Sequence, residues 1–506
     1  MNSFLLVERV SYHKPNMPTA PYVNPRVLEA QFAVRGPIPM RAEQLQAQLR
    51  AETADGGTSV LPFTEIIHCN IGNPHAFSQK PLTFYRQVMA LVDAPMLMEI
   101  DGVVAHLPSD VVARAKQYLQ QSGDGKTGAY SDPTGHLWVR EAVAAFIARR
   151  DGTTVAPDAR NIIIADGATS AVRLIMQLFI AGPSDGVLIP IPQFPLYTAQ
   201  ISLFDGTAAA YYLDEGNQWG LNAQDLDGCV KQLKQSNASP RLLVVINPGN
   251  PTGQVFTRAT MEGVAMTTTL FSSQMKCIKR TFMVLAACLR ASARVILHMP
   301  SPYHNTSCIS LHSTSKGIIG ECSRRGGYME LLNIAPIHHA QIVKLCSINV
   351  CSNFNGQVMT ALMCTPPVQG DASYPQFREE YDGIFSDLKE RAASLAIELN
   401  TIKGITCNSV DGAIYAFPQI QLPHKYVARN DALCAAAPPA ERMAADARWA
   451  LELLEATGIV VVPGSGFLQP EGTFHFRTTI LPPKTQMAAM TSSIRAFHTK
   501  INELYA

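Results

Sequence analysis

Leu242-Leu243-Val244-Val245-Ile246 is a run of large apolar residues with no polar alternation, and it leads directly into Asn247-Pro248-Gly249-Asn250-Pro251-Thr252-Gly253. A strand with one wet face alternates. A strand without alternation is buried on both faces, as in a parallel sheet covered by helices. Asn161 to Ala165 and Gly186 to Ile191 have the same character, and helical spacing appears at Val111 to Gln121, Leu137 to Arg149 and Ser170 to Ile180. Strands alternating with helices predict an α/β fold with a mostly parallel central sheet. The loop after Ile246 then sits at the carboxyl end of a strand, where open α/β sheets bind ligands. An ordinary turn accounts for its Gly and Pro but not for the doubled Asn-Pro. An Asn side chain there can donate to a phenolate-type oxygen.

The chain has 506 residues, too many for one ordinary core. A Pro/Gly loop at Cys364 to Asp371 reads as a boundary. Beyond it lie a long charged helix, Phe377 to Leu399, and strand-like pieces at Ile414 to Phe417, Ile459 to Val462 and Phe474 to Ile480. The expected division is an N-terminal arm with part of a small domain over 1–110, a large domain over 111–370, and the rest of the small α+β domain over 371–506. Hydrophobic residues make up 47% and charged residues 16% of the chain, a buried globular composition. A net charge of +1 gives no electrostatic reason for a nucleic-acid or membrane partner, so small-molecule substrates are expected. None of the 11 cysteines forms a C-x-x-C pair, so no metal is expected, and the thiols read as reduced. No apolar run approaches membrane-spanning length. The expected compartment is the cytoplasm. A mitochondrial presequence stays open, because Arg9 and Lys14 face only Glu8 in the first 20 residues.

Three short motifs carry chemistry, and one is rejected. Gly123-Asp124-Gly125-Lys126-Thr127 ends like a P-loop, but Gln120 stands where the first glycine belongs, inside a helix. Ser313-Thr314-Ser315-Lys316-Gly317 alone is a lysine beside a small-residue turn, and Ser-x-x-Lys also occurs at hydrolase nucleophiles. Arg325-Gly326-Gly327-Tyr328 follows shortly after. A lysine that forms a Schiff base needs an anchored aldehyde cofactor, and Ser313 and Arg325 suit its phosphate. Asp166-Gly167-Ala168-Thr169, between a strand and a helix, reads equally as an anion site or a simple helix cap.

As a set, Asn-Pro-Gly-Asn-Pro-Thr-Gly, His-Ser-Thr-Ser-Lys-Gly and Arg-Gly-Gly-Tyr resemble the class I/II pyridoxal-phosphate-dependent aminotransferases, and within them most closely the alanine aminotransferases. The resemblance extends to Ala33-Val34-Arg35-Gly36-Pro37-Ile38-Pro39, to Ile189 through Tyr197, to Val462-Pro463-Gly464-Ser465-Gly466-Phe467 and to Phe474-His475-Phe476-Arg477. It covers about residues 28–265 and 309–506. It implies an aspartate-aminotransferase-like fold, pyridoxal 5'-phosphate as cofactor, and a homodimer exchanging an amino group between L-alanine and 2-oxoglutarate. It also implies roles. Lys316 carries the cofactor and shuttles a proton. Ser313, Arg325 and the N–H groups of Ala168 and Thr169 hold the phosphate, with Tyr130 reaching the partner subunit's cofactor. Phe194 stacks on the ring and Asn250 donates to its 3-oxygen. Arg477 takes the substrate α-carboxylate, and Gly72 lines the substrate site. Two other readings stay open: a lyase or decarboxylase of the same fold, and an inactive homologue that survives as a binding partner.

One stretch departs from the resemblance. The family has a strand ending in Asp-Glu-Val-Tyr, whose Asp pairs with the pyridine nitrogen and whose Tyr donates to the 3-oxygen. Here no Asp occurs between Arg258 and Lys316. Yet codons permitted for Gln274 through Val284, read one base earlier, spell Asp-Glu-Val-Tyr-Gln-Glu-Asn-Val-Tyr-Gly. A shifted frame beginning near Met266 and ending before about Ile309 is therefore expected. As written, the chain should lose the proper end of a central strand and the pyridinium's anionic partner, at a cost of about 10²-fold or more in rate. Lys276 nearby would oppose ring protonation further. Ser323 in place of the family's Gly is a smaller departure.

Overall fold

The computed structural model describes residues 23–30, 32, 36–274, 283–288 and 292–506. Its centre is a seven-stranded sheet: β1 (Ile162–Ile164), β2 (Asp185–Ile191), β3 (Thr207–Tyr212), β4 (Ser239–Asn247), β5 (Met283–Cys288), β6 (Cys308–Ser313) and β7 (Gly327–Leu332). Their order is β1-β7-β6-β5-β4-β2-β3. Pairs β2–β3, β2–β4, β4–β5 and β5–β6 are parallel, and only β7 runs against its neighbours β1 and β6. From Leu242 to Asn247 every residue of β4 is buried, so both faces are covered, as the missing alternation requires. Leu243 and Val245 join one core cluster with Trp219 and Phe467, while Leu242, Val244 and Ile246 join another with Ala171 and Ile175.

The helices sit close to where their spacing predicts them, at Ser109–Gln121, Leu137–Asp151 and Gly167–Phe179. Gly123, Asp124 and Gly125 all take left-handed backbone in the turn after a helix, so this segment is a loop and not a strand-to-helix phosphate cradle.

A second body has its own core, which joins Ile38, Leu45, Leu49 and Ile67 to Leu395, Trp449, Leu453, Phe476 and Ile494. Both ends of the chain therefore build it. Its strands are short: β8 (Ile405–Thr406) pairs with β10 (Gln419–Ile420), and β12 (Phe476–Thr479) lies between β11 (Val462–Pro463) and β9 (Tyr415–Ala416). The helix Thr83–Asp93 buries Phe84, Val88 and Val92 against Val139, Ile162 and Tyr328, so it belongs to the layer covering the large sheet.

β5 occupies the middle of the sheet, in register with β4 from Leu242↔Met283 to Asn247↔Cys288. A central strand is thus present, but its carboxyl end is Ala286-Ala287-Cys288, without an acidic residue type. Residues 275–282, which cover most of the hidden motif including Lys276, lie outside the described residues, as do Ala33-Val34-Arg35 and the N-terminal 22.

Candidate active site

β6 and β7 are antiparallel neighbours with Ser313 opposite Gly327, and the chain between them makes a tight excursion carrying Lys316 and Arg325. Thr314 N–H donates to Gly326 O at 3.1 Å, and Glu321 N–H to Thr314 O at 3.0 Å. The buried Glu321 carboxylate is held by Arg86 at 2.8 and 3.0 Å. Gln79 Nε2 donates to the carbonyls of Gly317 and Ile318. From this frame Lys316 extends its Nζ to the carbonyl of Gly72, with Cys322 Sγ 4.0 Å away. Gly72 has no room for a side chain, because a Cβ there would strike the Tyr415 hydroxyl.

Arg325 meets the start of the helix Gly167–Phe179. Arg325 Nη2 donates to Asp166 O at 2.7 Å. Gly167 has φ 74°, and a Cβ added to it would meet that Nη2 at 2.6 Å. Asp166 precedes the helix but does not cap it. Its Oδ1 instead accepts from Asn353 N and Nδ2 at 2.9 and 2.7 Å. The first-turn N–H groups, including those of Ala168 and Thr169, thus keep no side-chain cap at the positive end of the helix dipole. The anion reading of this motif is favoured over the cap.

Arg477 on β12 is 1% exposed. Its Nη1 donates to Asn250 Oδ1 at 3.0 Å and its Nη2 to Asn70 O. Its guanidinium lies 4.1 Å from the Tyr415 ring centroid and 5.0 Å from that of Phe467. Burial pulls its pKa below the ordinary arginine value, with Tyr415 opposing. Among the described residues no carboxylate pairs with it, and its Nε has no partner. A buried guanidinium without a counter-ion is costly unless a ligand carboxylate completes it.

The structure therefore joins Lys316 with Gly72, Arg325 with the start of Ala168 and Thr169's helix, and Arg477 with Asn250. Phe194 is half-buried in the loop after β2, with Phe32 against it edge-on at 6.0 Å. Tyr130 is not brought to them: it is 85% exposed, in the loop before the helix Leu137–Asp151. Asn353, Gln79 and Tyr415 carry no signal in the sequence; each acts by contact across the fold.

Full-length relatives decide the family. A probable mitochondrial alanine aminotransferase of Dictyostelium discoideum is 42% identical over 97% of this chain and 91% of its own. Human alanine aminotransferase 1 is 39% identical over 96% of this chain and 95% of its own. The family model for aminotransferase class I and II matches residues 100–271. The chain belongs to the class I and II aminotransferases. An Arabidopsis thaliana glutamate–glyoxylate aminotransferase 2 is also 40% identical, over 96% of both chains. The fold of this aminotransferase is that of an alanine aminotransferase from Pyrococcus furiosus, with TM-score 0.69 over 95% of this chain and all of that one at 20% identity. Aminotransferases of the class depend on pyridoxal phosphate. No described helix of this one is long and apolar enough to cross a membrane, and no described group of His, Cys, Asp and Glu could hold a metal.

Proposed function

We propose that this aminotransferase exchanges the amino group of L-alanine with 2-oxoglutarate, giving pyruvate and L-glutamate, with pyridoxal 5'-phosphate held on Lys316. The observation that carries this reading is Arg477: a buried guanidinium 3.0 Å from Asn250 Oδ1, with no carboxylate partner among the described residues. The alanine pairing follows relatives at 42% and 39% identity that are named for it. The glyoxylate-named relative favours glyoxylate as a second oxo acid.

The residues fit the cofactor on three sides. Ser313, Arg325 and the N–H groups of Ala168 and Thr169 would hold its phosphate, in a cradle that a Cβ at Gly167 would fill. Phe194 would lie on its ring face and Asn250 at its 3-oxygen. The ring-nitrogen side does not fit, because no carboxylate residue stands in β5 among the described residues. No step through a protonated ring follows. When bound, the cofactor would supply an aldehyde to take the amino group. Arg477 fixes the α-carboxylate through a two-pronged pair, which sets the orientation of Cα. Lys316 Nζ takes and returns the proton at Cα. The exposure of Tyr130 in a single chain supports a role for it toward the cofactor of a second copy in a homodimer. The compartment we propose is the cytoplasm, where the free thiols of the described cysteines stay reduced.

We also propose that the coding sequence runs in a shifted frame between about Met266 and Ser292. The family-model match ends at residue 271, inside this window. Ile296 and Met299 are buried in the cluster that holds Leu243 and Val245, which favours an end before Ser292 over the outer limit near Ile309. Both proposals meet one experiment: express the written chain, the frame-restored chain and its Lys316→Ala variant. Turnover of alanine with 2-oxoglutarate is expected to be highest in the frame-restored chain and lost, with the covalent cofactor band, in the Lys316→Ala variant. Turnover that survives loss of Lys316 would sink the assignment. Equal turnover by the written and restored chains would sink the frame shift.

A further inference from the structure

Two residues before Arg477, as the bridge residue that leads into β12, stands His475, which is 0% exposed and plays no part in the chemistry above. Residues at this spacing in a strand share a face. His475 Nε2 lies 3.0 Å from Glu215 Oε2, and its Nδ1 lies 2.8 Å from Gln469 Oε1. Gln469 cannot turn its amide freely, because its Nε2 donates to the buried Asp446 at 2.7 Å. Both ring nitrogens therefore face oxygen atoms at hydrogen-bond distance, which fixes the plane of the imidazole. Glu215 belongs to the other body, in the short turn Glu215–Asn217 after β3. That turn is anchored across the gap by Asn408 Nδ2 on Glu215 O at 2.8 Å. From the imidazole a packed path leads to the substrate arginine. Phe417 stacks on His475 at 4.8 Å with parallel planes, Phe467 meets Phe417 edge-on at 5.5 Å, and the Arg477 guanidinium lies over Phe467 at 5.0 Å. Trp219 closes the cluster, 5.8 Å from Phe417 and 5.9 Å from His475.

We propose that Glu215 and His475 form a positioning pair that ties the large-sheet body to β12 and holds Arg477 in register for a substrate carboxylate. The pair touches no substrate. It fixes the entry to β12 through a hydrogen bond across the two bodies, and it fixes the aromatic bed on which the guanidinium rests. Without it, β12 keeps its backbone pairing and the aromatic contacts, but His475 loses its direct tie to Glu215 of the large-sheet body, and the guanidinium loses its alignment to Asn250.

This inference rests on the reading of Arg477 as the carboxylate site, and the test separates the two. 2-Oxoglutarate is titrated calorimetrically into the full-length, cofactor-loaded protein, which reads binding whether or not the protein turns over. Glu215→Ala is expected to weaken binding about tenfold, with a thermal midpoint within about 2 °C of the parent. Glu215→Gln, which still presents an acceptor to Nε2–H, is expected to stay within about twofold. His475→Phe, which keeps a ring on Phe417, should lose as much as Glu215→Ala. Arg477→Lys is the control. If it weakens binding and Glu215→Ala does not, the positioning role is overturned and the carboxylate site stands. If Arg477→Lys leaves binding unchanged, the carboxylate reading fails and the positioning pair fails with it.

Discussion

Gly167 offers a direct test of the anion site, because one added methyl group perturbs it in two separable ways. At φ 74° an alanine sits in left-handed backbone, which costs about 1–2 kcal/mol. The same Cβ would stand 2.6 Å from Arg325 Nη2 and 3.0 Å from its Cζ, so the guanidinium must move and give up its 2.7 Å bond to Asp166 O. The backbone strain is present with or without ligand, so it appears in stability. A chain of this length should lose about 1–3 °C in thermal midpoint. The displaced arginine appears in binding. A charge-assisted hydrogen bond to phosphate is worth about 1.5–3 kcal/mol, which is about 10- to 150-fold in Kd. The assay is a titration of Gly167→Ala with pyridoxal 5'-phosphate, followed by cofactor absorbance, with inorganic phosphate as competitor. Both ligands should weaken together, because both use the same anion site. Undiminished affinity for cofactor and phosphate, in a protein that shows the loss of stability, would refute the assignment of Arg325 and the Gly167–Phe179 helix start to the phosphate.

Two other perturbations follow from the structure. Glu330 is 4% exposed and its Oε2 has no hydrogen-bond partner, while Arg150, 3.9 Å away, spends its hydrogen bonds on Asp151. Burial pushes the Glu330 carboxyl up to about 7, so the native state holds a proton that the unfolded chain has released. Stability is therefore full below about pH 4.5 and falls as pH rises toward 7, by up to about 3 kcal/mol. Glu330→Gln removes this slope, so its thermal midpoint should gain on the parent between pH 5 and 8; parallel curves would show that Glu330 does not titrate there. Tyr130 is exposed in one chain, and the proposed role for it is at the phosphate of a second copy's cofactor. Tyr130→Phe should weaken cofactor binding about 3- to 10-fold while leaving the sedimentation coefficient unchanged. Unchanged cofactor affinity would return Tyr130 to the surface.

Much of the fold is readable from the residues, and the gaps have physical causes. β4 and β2 announce themselves because continuous apolar runs have few other uses. β3, Thr-Ala-Ala-Ala-Tyr-Tyr, is rich in a residue that favours helices, and β7 carries Gly327 and the buried Glu330. Neither reads as a strand; neighbouring strands impose that state on them. The helix Thr83–Asp93 has strong amphipathic spacing, but spacing does not say which body its apolar face covers. The structure places it on the large sheet.

For the site, the sequence by itself determined the parts: a lysine in a small-residue turn, glycines where backbone must approach closely, an arginine within an apolar strand, and the missing Asp between Arg258 and Lys316. These are properties of short segments, and short segments keep their chemistry wherever the chain takes them. The tertiary structure decided the assembly. It turned Asp166 away from the helix it precedes, toward Asn353, and so left the first-turn N–H groups open. It left Arg477 buried without a carboxylate, against Asn250 from a loop 227 residues earlier. It also set His475 of the second body against Glu215 of the first. Such contacts depend on how two bodies close on each other, and no local pattern encodes that closure.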